Sequence, residues 1–151
     1  MTAARSGRRL TFASHVRGTL PHMSEVLHDP RWRNAWRLLF LAVVLGASWL
    51  AFSPHPPPAA DLGWDKANHF TAFGTLAFIG MQCLLAGPRR RWLVLAMLLA
   101  YGVGIELVQS QIPGRDADAQ DVLADMIGAV LGVAVHAVVL RLFTPRATPA
   151  R

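Results

Sequence analysis

The sequence has little charge and almost no cysteine. Only 16% of its 151 residues are charged, against roughly 25% in soluble globular proteins. This deficit argues against a disordered chain, a coiled coil and an ordinary soluble domain. The single cysteine, Cys83, lies in an apolar run. Because the sequence has only this one cysteine, it forms no intrachain disulfide and no metal-type cysteine pair.

Several motifs of nucleotide-binding and hydrolytic enzymes are also missing. The sequence contains no glycine-rich phosphate loop and no serine in a nucleophile elbow. Acidic residues are outnumbered nine to fifteen by basic ones, which gives a net charge of +6. The basic residues lie at the edges of apolar runs rather than along one folded face, so we expect no nucleic-acid binding. We also expect no cofactor and no metal ion, since no strong metal motif is present.

Four apolar segments account for most of the chain, of which 53% is hydrophobic. Each has a length close to the roughly 20 residues that a helix needs to cross a lipid bilayer. The sequence therefore predicts an all-α membrane protein, a bundle of four transmembrane helices within residues 36–143. The predicted spans are about 36–52, 67–86, 92–108 and 122–143.

Two polar tails flank the predicted domain. Residues 1–35 are expected to be a cytoplasmic basic tail, partly disordered or helical at the membrane surface, and residues 144–151 a second cytoplasmic tail. A helix is expected to begin near Asp29 and Pro30, because aspartate caps helices and proline suits their first position. A signal peptide cleaved near Ser53 is the disfavoured alternative, since the basic stretch before it is far too long.

Basic residues alternate from connector to connector, and this alternation predicts the topology. If four helices cross the membrane, 13 of the 15 basic residues lie on one side. They are the seven arginines up to Arg37, the three of the Arg89–Arg91 turn and the three at the C-terminus. Only Lys66 and Arg115 lie on the other side. The positive-inside rule then places both termini of this multi-pass protein in the cytoplasm.

Polar residues recur at the outer ends of the predicted spans, where antiparallel hairpins bring them to one level. An ionisable group within a span costs about 2.5–3.5 kcal/mol, so it should face the bundle interior and find a partner. His69 is the candidate general acid or base, with Glu106 or Asp125 beside it. Arg115 offers a planar donor group for a carboxylate or phosphate. A purely structural hydrogen-bond network is the alternative.

Residues deeper in the spans have simpler interpretations. Gly128 and Gly132, four residues apart, are expected to let another helix of the same chain approach closely rather than to dimerise. His136 is expected to be a packed histidine. Because Gln82 and His136 are the polar residues of the inner halves, a continuous proton or solute pathway is poorly supported. The oligomeric state is left open.

The ordered polar motifs resemble the VanZ-like family over residues 38–142. One position departs from the family pattern, since Asp125 stands where asparagine is usual. The motifs that carry the resemblance are Asp65-Lys66-x-x-His69-x-x-x-Phe73, Glu106-x-x-Gln109, and Pro113-Gly114-Arg115-x-x-Asp118-x-x-Asp121-Val122-Leu123-Ala124-Asp125-x-x-Gly128.

This resemblance implies a small integral protein of the bacterial inner membrane. The naming member of the family is associated with resistance to the glycopeptide teicoplanin. The resemblance also implies a set of ligand-binding positions: Asp65, Lys66, His69, Glu106, Gln109, Arg115, Asp118 and Asp121.

Two functions follow as hypotheses. In the first, the outward-facing polar site binds a cell-wall precursor, a lipid headgroup or a glycopeptide. In the second, the chain is a membrane enzyme acting on a lipid-linked phosphate or cell-wall precursor, with His69, Glu106 and Asp125 as the catalytic candidates.

Overall fold

The computed structural model describes residues 23–54, 64–115 and 117–144. These residues are helical with no strand, which confirms the all-α prediction. Residues 1–22, 55–63, 116 and 145–151 lie outside the described part, and so do the predictions that concern them. The helices are α1 (Met23–His28), α2 (Arg33–Phe52), α3 (Asp65–Cys83), α4 (Arg90–Gln109) and α5 (Ala119–Phe143), with a 3-10 turn at Pro30–Trp32 before α2.

The predicted helix start near Asp29 is confirmed. The Asp29 side chain accepts a hydrogen bond from the backbone N–H of Arg31 at 2.9 Å, and Pro30 occupies the first position of the 3-10 turn. The Trp36 indole donates to the carbonyl oxygen of Val26 at 3.0 Å. These contacts fold the end of the predicted basic tail back against the start of α2.

The long helices alternate in direction. Arg37, near the start of α2, donates to the carbonyl of Cys83 at the end of α3. Gln109, at the end of α4, donates to the carbonyl of Ala51 near the end of α2. Helices α2 and α4 therefore run parallel, and α3 and α5 run the opposite way.

This arrangement separates the charges into two ends. The basic end, where α2 and α4 begin, carries Arg33, Arg37, Arg89, Arg90, Arg91 and Arg141; the acidic end, where α3 and α5 begin, carries Asp65, Glu106, Asp118, Asp121 and Asp125.

Helix α3 lies at the centre of the bundle. It contributes nine buried residues, whereas α2 contributes none. Phe73, Leu76 and Ala77 of α3 pack in the core with Leu98 of α4 and Ala129 of α5. Because α3 packs against α2, α4 and α5, much of its surface faces protein, and its sequence need not be as apolar as that of a helix facing lipid.

Close backbone contact joins α3 to α5. A Cβ atom at Gly132 would collide with the carbonyl oxygen of Gly74 and lie 2.9 Å from the Cβ of Ala77. A Cβ at Gly128 would collide with the carbonyl oxygen of Phe70. The expectation that these two glycines serve packing within the chain is confirmed, and the contact holds α3 and α5 in fixed register.

Within the described residues, three helical stretches are long and apolar enough to cross a membrane: Pro30–Phe52, Arg90–Gln109 and Ala119–Phe143. Large apolar side chains are exposed along them, including Leu38 at 69% and Trp92 at 62%. Exposed apolar surface of this extent is typical of a lipid-facing or partner-facing protein. Helix α3 is less clearly apolar, and it ends at Cys83, before the predicted boundary at residue 86. The fourth crossing therefore stays a prediction.

Candidate functional site

The predicted site residues gather at the acidic end because three helices begin or end there. Helices α3 and α5 start at the same level, and α4 finishes beside them. Asp118, the N-cap of α5, accepts a hydrogen bond from the backbone N–H of Gln120 at 2.9 Å. Aspartate suits this position because its carboxylate satisfies free N–H groups and is stabilised by the helix dipole.

Lys66 ties the first turn of α3 to the start of α5. Its Nζ lies 2.7 Å from Oδ2 of Asp118 and 3.1 Å from Oδ1 of Asp121. Asp121 is buried, whereas Lys66 and Asp118 are partly exposed. The hydrogen bond from Lys66 lowers the pKa of Asp118 below its usual value. The lysine thus neutralises two neighbouring carboxylates.

His69 and Asp125 form the buried pair of the site. Nδ1 of His69 lies 2.9 Å from Oδ1 of Asp125, and the two side chains are 8% and 1% exposed. On the other side of the ring, Nε2 lies 4.0 Å from Oδ2 of Asp65, which is exposed. The imidazole therefore connects a buried carboxylate to one at the surface.

Gly102 of α4 provides the room for this pair. A Cβ at residue 102 would lie 2.6 Å from Oδ2 of Asp125 and 3.3 Å from the ring of Phe73. Phe73 in turn stacks on Tyr101, with ring centroids 5.6 Å apart. The Asp125 carboxylate thus lies against His69 and Gly102, and the ring of Phe73 lies close to the same glycine.

Glu106 contacts a different part of the site. Its Oε2 accepts a hydrogen bond from the backbone N–H of Asp118 at 2.8 Å. Its Oε1 is buried and has no hydrogen-bond partner among the described residues, and the same is true of Oδ2 of Asp125. Buried carboxylate oxygens without a donor are unfavourable, so these two atoms have acceptor capacity that the described residues leave unused.

Gln109 and Arg115 point to the end of α2. Gln109 Nε2 and Arg115 Nε both donate to the carbonyl oxygen of Ala51, at 3.0 and 3.1 Å. Gly114, with φ of 85°, makes the turn that brings the arginine back toward α2. Within the described ranges Arg115 forms no ion pair, so it anchors α2 rather than a carboxylate of the cluster.

Three residues of the cluster approach the geometry of a metal site. One potential ligand atom from each of Asp65, His69 and Asp121 lies within 4.8 Å of the others. However, the ammonium group of Lys66 already lies 3.1 Å from Asp121. A cation at this position would face a positive charge, so the arrangement favours a lysine–carboxylate network over a metal centre.

One polar contact near the site was not predicted from the sequence. The hydroxyl groups of Ser48 and Tyr101 lie 2.8 Å apart, and Tyr101 also donates to the carbonyl of Val44 at 3.2 Å. The available signal was that the only tyrosine of the chain lies inside an apolar segment, where its hydroxyl needs a partner.

The interpretation of His136 as a packed histidine is confirmed. It is buried, and its ring meets the edge of Phe78 with centroids 5.6 Å apart. His136 lies several turns along α5 from Asp125, so it takes no part in the cluster.

An apolar helical bundle with its charged network at one end is typical of a small membrane protein. The VanZ/LLP1 family model matches residues 14–141. The chain therefore belongs to the VanZ/LLP1 family, and the resemblance noted in the sequence is confirmed. No curated protein and no solved structure matches the chain.

Proposed function

We propose that the chain is a multi-pass protein of the bacterial cytoplasmic membrane, with four crossings and both termini inside. The distribution of charge supports this orientation, since the arginines of the basic end would lie in the cytoplasm. The packing supports the fourth crossing. Helix α3 packs against three other helices, and Lys66 and His69 pair with carboxylates of the protein rather than meeting lipid.

Single-cysteine labelling tests this topology. Cys83 is replaced by alanine, and one cysteine is introduced at Arg91 in the basic turn or at Pro113 in the acidic-end connector. A membrane-impermeant maleimide applied to intact cells should label the cysteine at 113 and spare the one at 91. Labelling of 91 alone would invert the orientation, and labelling of both or neither would contradict four crossings.

The acidic end is proposed to be an outward-facing binding site for a polar ligand. The observation that carries this proposal is the convergence of three helices around buried carboxylate oxygens without donors, on Glu106 and Asp125. A ligand rich in hydroxyl, amide or ammonium groups would supply those donors. Cell-wall precursors, lipid headgroups and glycopeptides all carry such groups, and the family link to teicoplanin makes glycopeptide susceptibility the first phenotype to measure.

The test compares two glutamates. Glu106→Gln removes an acceptor in the site, whereas Glu25→Gln makes the same change at the basic end, where Glu25 pairs with Arg31 at the surface. In a host in which deletion changes teicoplanin susceptibility, Glu106→Gln should reproduce the deletion at normal protein abundance, and Glu25→Gln should not. Wild-type susceptibility in Glu106→Gln would remove the site from the function.

A membrane enzyme is the second candidate function, and one observation favours it. The bond from Nδ1 of His69 to the buried Asp125 fixes the ring and leaves Nε2 directed toward the exposed Asp65 side. This is the geometry in which a carboxylate orients a histidine for proton transfer. A lipid-linked phosphate or cell-wall precursor would be the substrate class.

Turnover separates the enzyme from the binder. Purified protein is incubated with undecaprenyl diphosphate or a lipid-linked disaccharide, and the release of phosphate or sugar is followed. Activity lost in His69→Gln but retained in Asp65→Asn would support the enzyme. No turnover by wild-type protein that still retains a bound precursor would support the binder.

A further inference from the structure

A second polar feature lies at the basic end, away from the acidic cluster. A cavity of about 160 Å³ opens between α1, the start of α2, the turn from α3 to α4 and the end of α5. Its lining includes Arg33, Arg90, Gln82 and Asp29. The volume corresponds to several water molecules at about 30 Å³ each, which is enough for a small polar group.

Two guanidinium groups at this cavity have no acidic partner within the part of the chain that the structure describes. Arg33 comes from the first residue of α2 and Arg90 from the first residue of α4, and both are partly buried. Neither side chain forms an ion pair or hydrogen bond with another described residue. The acid in the lining, Asp29, is already engaged, since its Oδ2 lies 2.9 Å from Nε of Arg31.

A buried amide donor adds to these charges. Gln82, on the last turn of α3, is 9% exposed and lines the same cavity. Its Nε2 atom is buried and has no hydrogen-bond partner among the described residues. A buried donor without an acceptor is unfavourable, so an acceptor placed in the cavity would stabilise this end of the bundle.

The start of α4 favours the same kind of ligand. The N-terminus of a helix presents free N–H groups and a partial positive charge, which attract anions. Here the backbone N–H of Arg90 is already bonded to the carbonyl of Gly87 at 3.2 Å, so the helix contributes its dipole, and the Arg90 side chain lines the same cavity as Gln82. The cavity thus combines two arginines and a buried amide, and the neighbouring carboxylate of Asp29 is already paired. Such a combination of donors favours an oxyanion.

We propose that this cavity binds a phosphate group, carried either by an acidic phospholipid headgroup or by a soluble phosphate compound. Arginine suits such a ligand because its planar donors match two phosphate oxygens. The proposal is independent of the acidic-end function, since no residue is shared between the two sites.

Binding is measured on the full chain in detergent. Native mass spectrometry compares phosphatidylglycerol with phosphatidylcholine of the same acyl chains, and thermal unfolding with inorganic phosphate tests the soluble source. The variants are Arg33→Gln and Arg90→Gln, with Arg91→Gln as the matched control. Arg91 is exposed, lies over the Trp92 ring at 5.2 Å and does not line the cavity.

Affinity for the phosphate-bearing probe should fall by about tenfold or more in Arg33→Gln and Arg90→Gln, because each loses a charge-assisted hydrogen bond. It should change less than about twofold in Arg91→Gln. Selective binding of phosphatidylglycerol would identify a lipid headgroup, and stabilisation by inorganic phosphate would identify a soluble ligand.

Gln82→Leu keeps the test decisive if an arginine variant does not fold. This substitution removes a neutral donor without changing charge, so affinity should fall by about fivefold. The proposal is overturned if neither probe binds the wild-type protein, if Arg91→Gln weakens binding as much as Arg90→Gln, or if folded Gln82→Leu binds as tightly as wild type.

Discussion

The His69–Asp125 pair provides the sharpest test of the acidic end. His69→Ala removes the partner of Asp125, whose side chain is 1% exposed in the wild-type protein. Its other oxygen, Oδ2, already lacks a partner among the described residues. The variant would therefore bury a carboxyl group with no donor on either oxygen.

The expected loss of unfolding free energy is about 3–5 kcal/mol, the range for leaving a buried ionisable group without its partner. Asp65→Ala is the matched control on the other side of the ring. Asp65 is exposed and 4.0 Å from Nε2, so its removal should cost less than about 1 kcal/mol. Equilibrium unfolding in mixed micelles containing SDS measures both values.

A double-mutant cycle separates the pair from the cavity that alanine leaves behind. The variant His69→Ala with Asp125→Ala should be more stable than the sum of the two single losses predicts, because it leaves no unpaired carboxyl group. Additive losses, or a His69→Ala loss no larger than that of Asp65→Ala, would show that the two residues do not stabilise each other.

Two further predictions concern the helix contact and the surface carboxylate. Gly132→Ala should lower the unfolding free energy by about 1–3 kcal/mol, because the new Cβ meets the carbonyl of Gly74. The control Gly104→Ala should cause no loss, since a Cβ there has nothing within 4 Å. Equal effects of the two substitutions in SDS titrations would refute the contact. The lowered pKa of Asp118 means that its ion pair with Lys66 stabilises the fold above the unfolded-state pKa of about 3.9. That stability is lost as the pH falls through the lower folded-state value. Asp118→Asn, which retains a capping side chain, should reduce this acid dependence of the melting temperature, and an unchanged profile would contradict it.

Much of the fold was predictable because hydrophobic runs and breakers act locally. The apolar stretches between prolines and glycines indicated the long helices, and Asp29 and Pro30 marked a helix start that the structure confirms. The second segment was harder to interpret. Helix α3 is central, so its composition reflects burial against protein as well as any contact with lipid. Hydropathy alone does not separate these environments.

The site was predictable only in part, because spacing gives the level of a residue along a helix but not its partner. The expected antiparallel hairpins placed His69, Glu106 and Asp125 near one level. The parallel packing of α3 and α5, however, makes Asp125 rather than Glu106 the partner of His69. That packing depends on glycine contacts between backbones, whose register no pattern within a single helix specifies.

Arg115 shows the same limitation at a turn. Its planar donors suggested a carboxylate or phosphate partner, but it donates to the carbonyl of Ala51 beside Gln109. A carbonyl near the end of α2 lacks its helical partner and is a strong acceptor, and it becomes available only when α2 and α4 run parallel. The clustered site and this anchoring contact therefore have one cause, the shared direction of alternate helices. A change that shifts α3 against α5, such as Gly132→Ala, should consequently disturb the His69–Asp125 pair before it disturbs the contact between Arg115 and Ala51.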